Sequence, residues 1–351
     1  MSNHSIQYRS LSQEDFVECG AFDLRMAIEA LKTALAKYDE GRILFPEKIV
    51  QIFDEKTQSR INCLPATLLD EKICGVKWVS VFPENPIKYG TQNLSAIIVL
   101  SNIVNGYPVC VMDGTLCSNM RVAAMGATAA KYLARDDAES IGFIGAGEQA
   151  KMHLLGMKSV RPGLRICRVA SKYAEEEKAF IESLAQLIPD MEFIPCNTVL
   201  EDAIRGSDII VTATSAQAPL LKSSWSKKGA FYSHIGGWED EFAVVKMADK
   251  IVCDDWATVK HRTQTVSRCY KAGEIRDEDI HANIADIVLG KKAARESDDE
   301  FIYFNAVGLA YVDVSIAYAM FNLAEKQNAG RMLDLQSTMI FEKDLMGKVR
   351  L

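Results

Sequence analysis

The chain has 351 residues, 48% of them hydrophobic and 25% charged, with a formal net charge of −7. That length suits two cores rather than one, and that charge argues against a nucleic-acid partner. Nine scattered cysteines without a Cys-x-x-Cys pair or a Cys/His cluster argue against a disulfide framework and against a metal site.

The start, "MSNHSIQYRSLSQEDF", is polar and lacks a signal-type apolar run. No window has the apolar length of a membrane span, so a cytoplasmic protein without a membrane partner is expected. Residues 1 to about 120 mix helix and strand. "LRMAIEALKTALAKYDEG" lines up Ala27, Leu31 and Leu35 on one helical stripe. "RINCLPATL", "ICGVKWVSVFP" and "LSAIIVLSN" read as strands of an antiparallel meander. Asn105-Gly106 predicts a hairpin turn before "PVCVMD". "MRVAAMGATAAKYLA" then reads as a helix, and strands and helices alternate from "SIGFIGAG" through "DIIVTAT". "GAFYSHIG" and "KIVCDD" add two strands. Such alternation predicts an α/β fold: a Rossmann-type doubly wound parallel sheet, plus an α+β domain from the flanking segments. The last block, "VGLAYVDVSIAYAMFNLAEKQNAG", reads as a long helix closed by Gly330 and packed back on the first block. The expected division is 1–120 with 315–351, and 121–314.

"IGFIGAGEQA" matches G-x-G-x-x-G/A with Gly145, Gly147 and Ala150. The match alone is weak, but a strand precedes it, a helix follows, and "LRICRVAS" supplies the second strand of a βαβ unit. Gly145 permits the turn, Gly147 lets a pyrophosphate approach, and Ala150 keeps the helix close. Ala146, Glu148 and Gln149 complete the loop. After the second strand stand Ser171 and Lys172, with no acid where NAD(H) binding usually puts one. This favours NADP(H), with NAD(H) the alternative; Lys172 also reads as a solvated turn residue. Thr212, Ala213 and Thr214 end a later strand, as cofactor contacts or as plain caps.

Two cations stand among apolar neighbours. Lys77 shares a strand face with Val79 and Val81, and either snorkels to solvent or meets an anion in a cleft. Arg121 starts a small-residue helix and either forks onto a ligand carboxylate or pairs with Asp113. Glu239, Asp240 and Glu241 follow two glycines, as general acid/base or as a solvated loop.

The ordered motifs "KWVSVFPENP", "GYP", "MRVAAMGATAAKYLA", "IGFIGAGEQA", "VTAT", "GAFYSHIGG" and "VGLAYVDVSIAY" resemble the ornithine cyclodeaminase/mu-crystallin family along nearly the whole chain. The family's lysine before P-x-N-P and its arginine in R-[TV]-A-A match Lys77 and Arg121. The resemblance implies a homodimer whose outer segments dimerise and bind substrate. It implies NAD(P)-dependent oxidoreductase chemistry on the C–N bond of α-amino or α-imino acids. It adds Ile235 to the cofactor contacts, and Val307 and Gly308 to the substrate contacts.

"KIVCDDW", "ARESDDEFIYFNAVGLA" and "NAG" are similar to the dehydrogenases of N-(2-amino-2-carboxyethyl)-L-glutamate, which release 2,3-diaminopropionate and 2-oxoglutarate. Lys48 stands where many members have a substrate-binding arginine, and Arg60 would hold a second carboxylate. The chain also departs from the family. Cyclodeaminases carry aspartate directly after "GG", where Trp238 stands here, and threonine where Gln92 stands. Lys77, Arg121 and Lys48 are thus expected to clamp the α-carboxylate, with Glu239 or Asp240 as base. A ketimine or pyrroline-2-carboxylate reductase, an ornithine cyclodeaminase and an alanine-dehydrogenase-like enzyme are the alternatives. A non-catalytic NADPH-binding crystallin-like protein is the alternative of another class.

Overall fold

A computed structural model describes residues 5–337 and 346–350. Two compact units emerge: Met1–Met26, Lys37–Ser118 and Ala310–Leu351 form the first, Ala27–Ala36 and Asn119–Leu309 the second. The expected division at 120 and 315 differs in detail. Ala27–Ala36 groups with the second unit, and one boundary cuts the helix Thr115–Leu133. Within the expected 315–351 segment, 338–345 and 351 lie outside the described residues, as do 1–4 of the expected first segment.

The first unit is built on a mixed sheet. In chain order its strands begin with β1 (Ile6–Leu11), β2 (Ile43–Leu44), β3 (Ile49–Asp54), β4 (Ser59–Leu68), β5 (Ile73–Val81), β6 (Leu94–Asn102) and β7 (Pro108–Asp113). From β4 to β7 they meander antiparallel, and β1 joins β7 in parallel. The register seats Lys77 between Leu64 and Ile98. Lys77 and Val79 are 2% and 5% exposed, while Trp78 between them is 43% exposed. A slip of one residue would turn Lys77 out and Trp78 in. Asp113, considered above as a partner of Arg121, caps the next helix, accepting from the Thr115 and Leu116 N–H groups at 3.2 and 2.8 Å.

The second unit holds β8 (Ser140–Ile144), β9 (Ile166–Ala170), β10 (Glu192–Pro195), β11 (Ile209–Thr212), β12 (Gln217–Leu221), β13 (Phe231–His234), β14 (Trp238–Asp240), β15 (Lys250–Cys253), β16 (Ile280–Asn283) and β17 (Ile302–Asn305). Eight of them form one sheet in the order β10-β9-β8-β11-β13-β17-β15-β16, while β12 and β14 pair apart. Every pairing in the large sheet is parallel. Strand order reverses between β8 and β11, the switch point where such sheets bind ligands. The sequence reading assigns no strand to "IYFN", yet β17 fills the gap between β13 and β15.

The chain then returns to the first unit. The helix Ala310–Lys326 packs over β4, β5 and β6. It ends before Gly330, which does not close it as expected. Gly330, at φ +76°, instead turns the chain into β18 (Arg331–Gln336), antiparallel to β1. Among the described residues no helix is long and apolar enough to cross a membrane, and no group of three His, Cys, Asp or Glu could hold a metal.

Removing a helix cap costs about 1 kcal/mol. Asp113→Ala is therefore expected to lower stability by about that amount in a denaturant titration. An unchanged midpoint would contradict the capping role.

Candidate active site

The glycine loop rests on β8, which is buried along its whole length. Gly145 follows with φ +104°, and its N–H donates to the Ala170 carbonyl at 2.8 Å. A Cβ there would lie 2.6 Å from the Ala213 carbonyl, so no larger residue fits. Gly147 caps the helix Glu148–Val160 without a side-chain bond, and the place of its missing Cβ is open space. Ala146 and Ala150 are buried beneath, and Gln149 donates to Asn119 at 2.6 Å. Unsatisfied N–H groups, a helix dipole and room for close approach fit a dinucleotide pyrophosphate. Thr212, Ala213, Thr214 and Ile235 gather at the same end of the sheet. Ala213 N–H bonds the Ile144 carbonyl and Ile235 N–H the Thr212 carbonyl.

At the end of β9 the premise of the NADP(H) expectation changes. The case for NADP(H) assumes no carboxylate near Ser171 and Lys172. Ser171 Oγ instead donates to Glu176, on the first turn of the helix Ala174–Leu184. Lys172 lies over the Tyr173 ring, 5.2 Å from its centroid. The sequence separation of five residues hides a contact that one turn of chain brings about.

The expected acid/base pair also changes character. Glu239 and Asp240 are both fully buried, not solvated. Glu239 accepts from Thr212 Oγ1 at 2.9 Å, Thr214 N and Oγ1 at 2.6 Å each, and Gly236 N at 2.7 Å. Both its oxygens are thereby engaged in fastening the loops after β11 and β13. Asp240 meets the Tyr232 and Tyr303 hydroxyls at 3.3 Å each, and His234 Nε2 at 3.4 Å. Both carboxylates lie away from solvent. Glu241 accepts from the Ser223 N–H at 3.4 Å.

In the first unit, Lys77 does not snorkel. Its ammonium donates to Ser118 Oγ at 2.8 Å and to Asp313 Oδ1 at 2.6 Å, with Asp313 wholly buried. Sequence reasoning missed Asp313, although a lone acid within "AYVDVSIAYAMF" is the signal that could have found it. Arg60 is half-buried on β4, donating to the Gln58 carbonyl at 2.8 Å, and burial lowers its pKa. Lys48 is half-buried between β2 and β3, and Gln92 is exposed in the turn before β6. In the second unit, Arg121 is 9% exposed. Gly308, at φ +91°, lies against its guanidinium, where a Cβ would sit 2.8 Å from Nη2. Asp254 holds this turn by accepting from the Val307 and Gly308 N–H groups at 2.9 and 2.7 Å. Asp254 is a second residue the sequence did not single out.

A family model described as the ornithine cyclodeaminase/mu-crystallin family matches residues 11–328. The N-((2S)-2-amino-2-carboxyethyl)-L-glutamate dehydrogenase of Staphylococcus aureus is 30% identical over 329 residues, covering 93% of this chain and 98% of its own. The structure of Thermococcus litoralis Δ1-pyrroline-2-carboxylate reductase with NADH and L-proline is 30% identical, with a TM-score of 0.87 over 92% of this chain and 99% of that one. An archaeal alanine dehydrogenase dimer with bound NAD is 29% identical, with a TM-score of 0.86 over 94% and 100%.

Burial pushes the Asp240 carboxyl up to about 6, against an opposing pull from His234. The folded protein then holds a proton that the unfolded chain loses near pH 4. Stability from this group is complete below that pH and is lost as pH rises through 6. Asp240→Asn, which mimics the protonated acid, is expected to stabilise the protein by about 2–3 kcal/mol at pH 7.5. The gain should vanish toward pH 4 in denaturant titrations, and a gain independent of pH would refute this.

Proposed function

The chain belongs to the ornithine cyclodeaminase/mu-crystallin family, and from that premise we propose an oxidoreductase acting on the C–N bond of an α-amino or α-imino acid with a nicotinamide dinucleotide. The observation that carries this reading is the buried ammonium of Lys77, tied to Ser118 and Asp313. A charge kept at 2% exposure needs anionic company, and a substrate carboxylate supplies more of it. Lys77 and Arg121 hold the α-carboxylate, with Lys48 assisting and Val307–Gly308 lining the substrate. Arg60 meets a second carboxylate, and Gln92 stands near the substrate side chain. Fixing the carboxylate orients the reacting carbon, an effect worth up to about 7–11 kcal/mol in well-aligned reactions. When bound, the dinucleotide supplies hydride exchange with that carbon. The proton of the reacting nitrogen is relayed through Lys77, which gives one of its own to the Asp313 carboxylate and takes up the new one, since Glu239 is saturated by its four donors.

The finer reading is oxidative hydrolysis of N-(2-amino-2-carboxyethyl)-L-glutamate to 2,3-diaminopropionate and 2-oxoglutarate. Identity of 30% to the Staphylococcus dehydrogenase supports it. A second reading, reduction of a cyclic imino acid, is supported by equal identity to the Thermococcus reductase. Nine free cysteines fit a reducing compartment, and the cytoplasm is the proposed location. A homodimer is proposed through the outer face of the first unit's sheet. There Trp78 faces Cys63 and Ile97 across neighbouring strands, with Trp78 43% and Ile97 44% exposed.

A panel of amino and imino acids, each with NAD⁺, NADP⁺, NADH and NADPH, tests the reading. Turnover of the amino-carboxyethyl glutamate but of no cyclic imine supports the first reaction, and the reverse pattern supports the second. Lys77→Ala is expected to lower kcat/KM by about 100-fold or more without loss of dinucleotide binding. Unchanged activity in that variant would remove Lys77 from the reaction, while dinucleotide binding with no turnover of any substrate by the unmodified protein would favour a non-catalytic binding protein. Ile97→Glu is expected to convert the dimer to monomer in sedimentation experiments.

A further inference from the structure

We propose that Glu176 reads the adenosine ribose of the cofactor and restricts this protein to a dinucleotide with a free 2′-hydroxyl. The inference rests on the dinucleotide reading above and deepens it. β8 and β9 run side by side, with Ile144 opposite Ala170. The Gly145 N–H bonds the Ala170 carbonyl, so Ser171 begins one residue beyond a direct hydrogen bond to the glycine loop. A ribose next to a pyrophosphate on that loop lies at the end of β9 in folds of this kind.

Two successive glutamates divide the work there. Glu177 is fully buried and accepts from the backbone N–H groups of Ser171, Asn197 and Thr198 at 3.0, 2.9 and 2.7 Å. It locks the backbone at Ser171 and the loop after β10 together. Ser171, 7% exposed, is therefore a fixed post. From that post its hydroxyl holds the carboxylate of Glu176, whose residue is itself exposed. A carboxylate steadied at this place accepts hydrogen bonds from a vicinal diol. A 2′-phosphate brought to it is a like charge, and like-charge juxtaposition is a strong rejection. Lys172, the one cation that follows directly, lies over the Tyr173 ring. The acid thus comes from the helix, five residues after Ser171, instead of from the strand end.

Fluorescence titration of the purified full chain with NADH and with NADPH tests this without reference to turnover. The unmodified protein is expected to bind NADH at least about tenfold more tightly than NADPH. Glu176→Gln and Glu176→Ala should shrink that ratio about tenfold, chiefly by tightening NADPH. Glu176→Asp should retain part of the preference, and Lys172→Ala should leave the ratio near its starting value. A ratio unmoved in both neutral Glu176 variants, or an NADPH preference in the unmodified protein, overturns the role of Glu176 while leaving dinucleotide binding intact. If neither nucleotide binds the unmodified protein, the dinucleotide reading fails and this inference fails with it.

Discussion

A lysine ammonium held at 2% exposure sets the terms for the first unit. A buried charge without a partner is costly, and removing one member of a buried pair typically destabilises by about 3–5 kcal/mol. Lys77 lies on β5, and its partner Asp313 lies on the helix that returns from the far end of the chain. The pair therefore fixes how that helix lies on the sheet. The sheet accommodates it closely: a Cβ on Gly75 of β5 would come 2.8 Å from Val314. Ionic and steric constraints agree on one placement, which is what specifies a single packing.

The second unit solves a different problem with the same chemistry. Loops leaving the carboxyl ends of parallel strands carry N–H groups that no neighbouring strand satisfies. Three buried carboxylates take them up. Glu177 collects three after β9 and β10, Asp254 two after β17, and Glu239 two backbone donors after β11 and β13. Two of these loops, after β9 and β11, flank the glycine loop that follows β8. Their rigidity is set by acids that never touch solvent, and a preformed cradle loses little entropy on binding.

Much of the architecture is legible in residue order, because period and punctuation are local. The meander from β4 to β7, the glycine loop and the alternation of β8 to β11 follow from alternation, Gly turns and helix-length spacing. β17 escapes for a physical reason. "FIYFNAVGLAYVDV" is apolar without a break, and a fully buried strand running into a buried helix shows no change of period. β18 escapes because Gly330 reads equally as the end of a helix and as the turn after one. In the candidate site, Lys77 and Arg121 stand out because cations among apolar residues conflict with their surroundings. Asp313 conflicts in the same way but lies 236 residues from Lys77.

The acids were the harder class to read, and the reason is general. A sequence shows where a carboxylate lies but not how many donors converge on it. Glu239 and Glu176 look alike in the chain, each within a run of acids after a strand. In the fold one accepts from four donors within the protein, while the other stands exposed on a single serine hydroxyl. The saturated carboxylate has no lone pair to spare for chemistry, so it can only position. The exposed one keeps most of its accepting capacity for a ligand. Donor count, rather than proximity in sequence to the cofactor loop, therefore separates an acid that builds the site from one that reads what enters it.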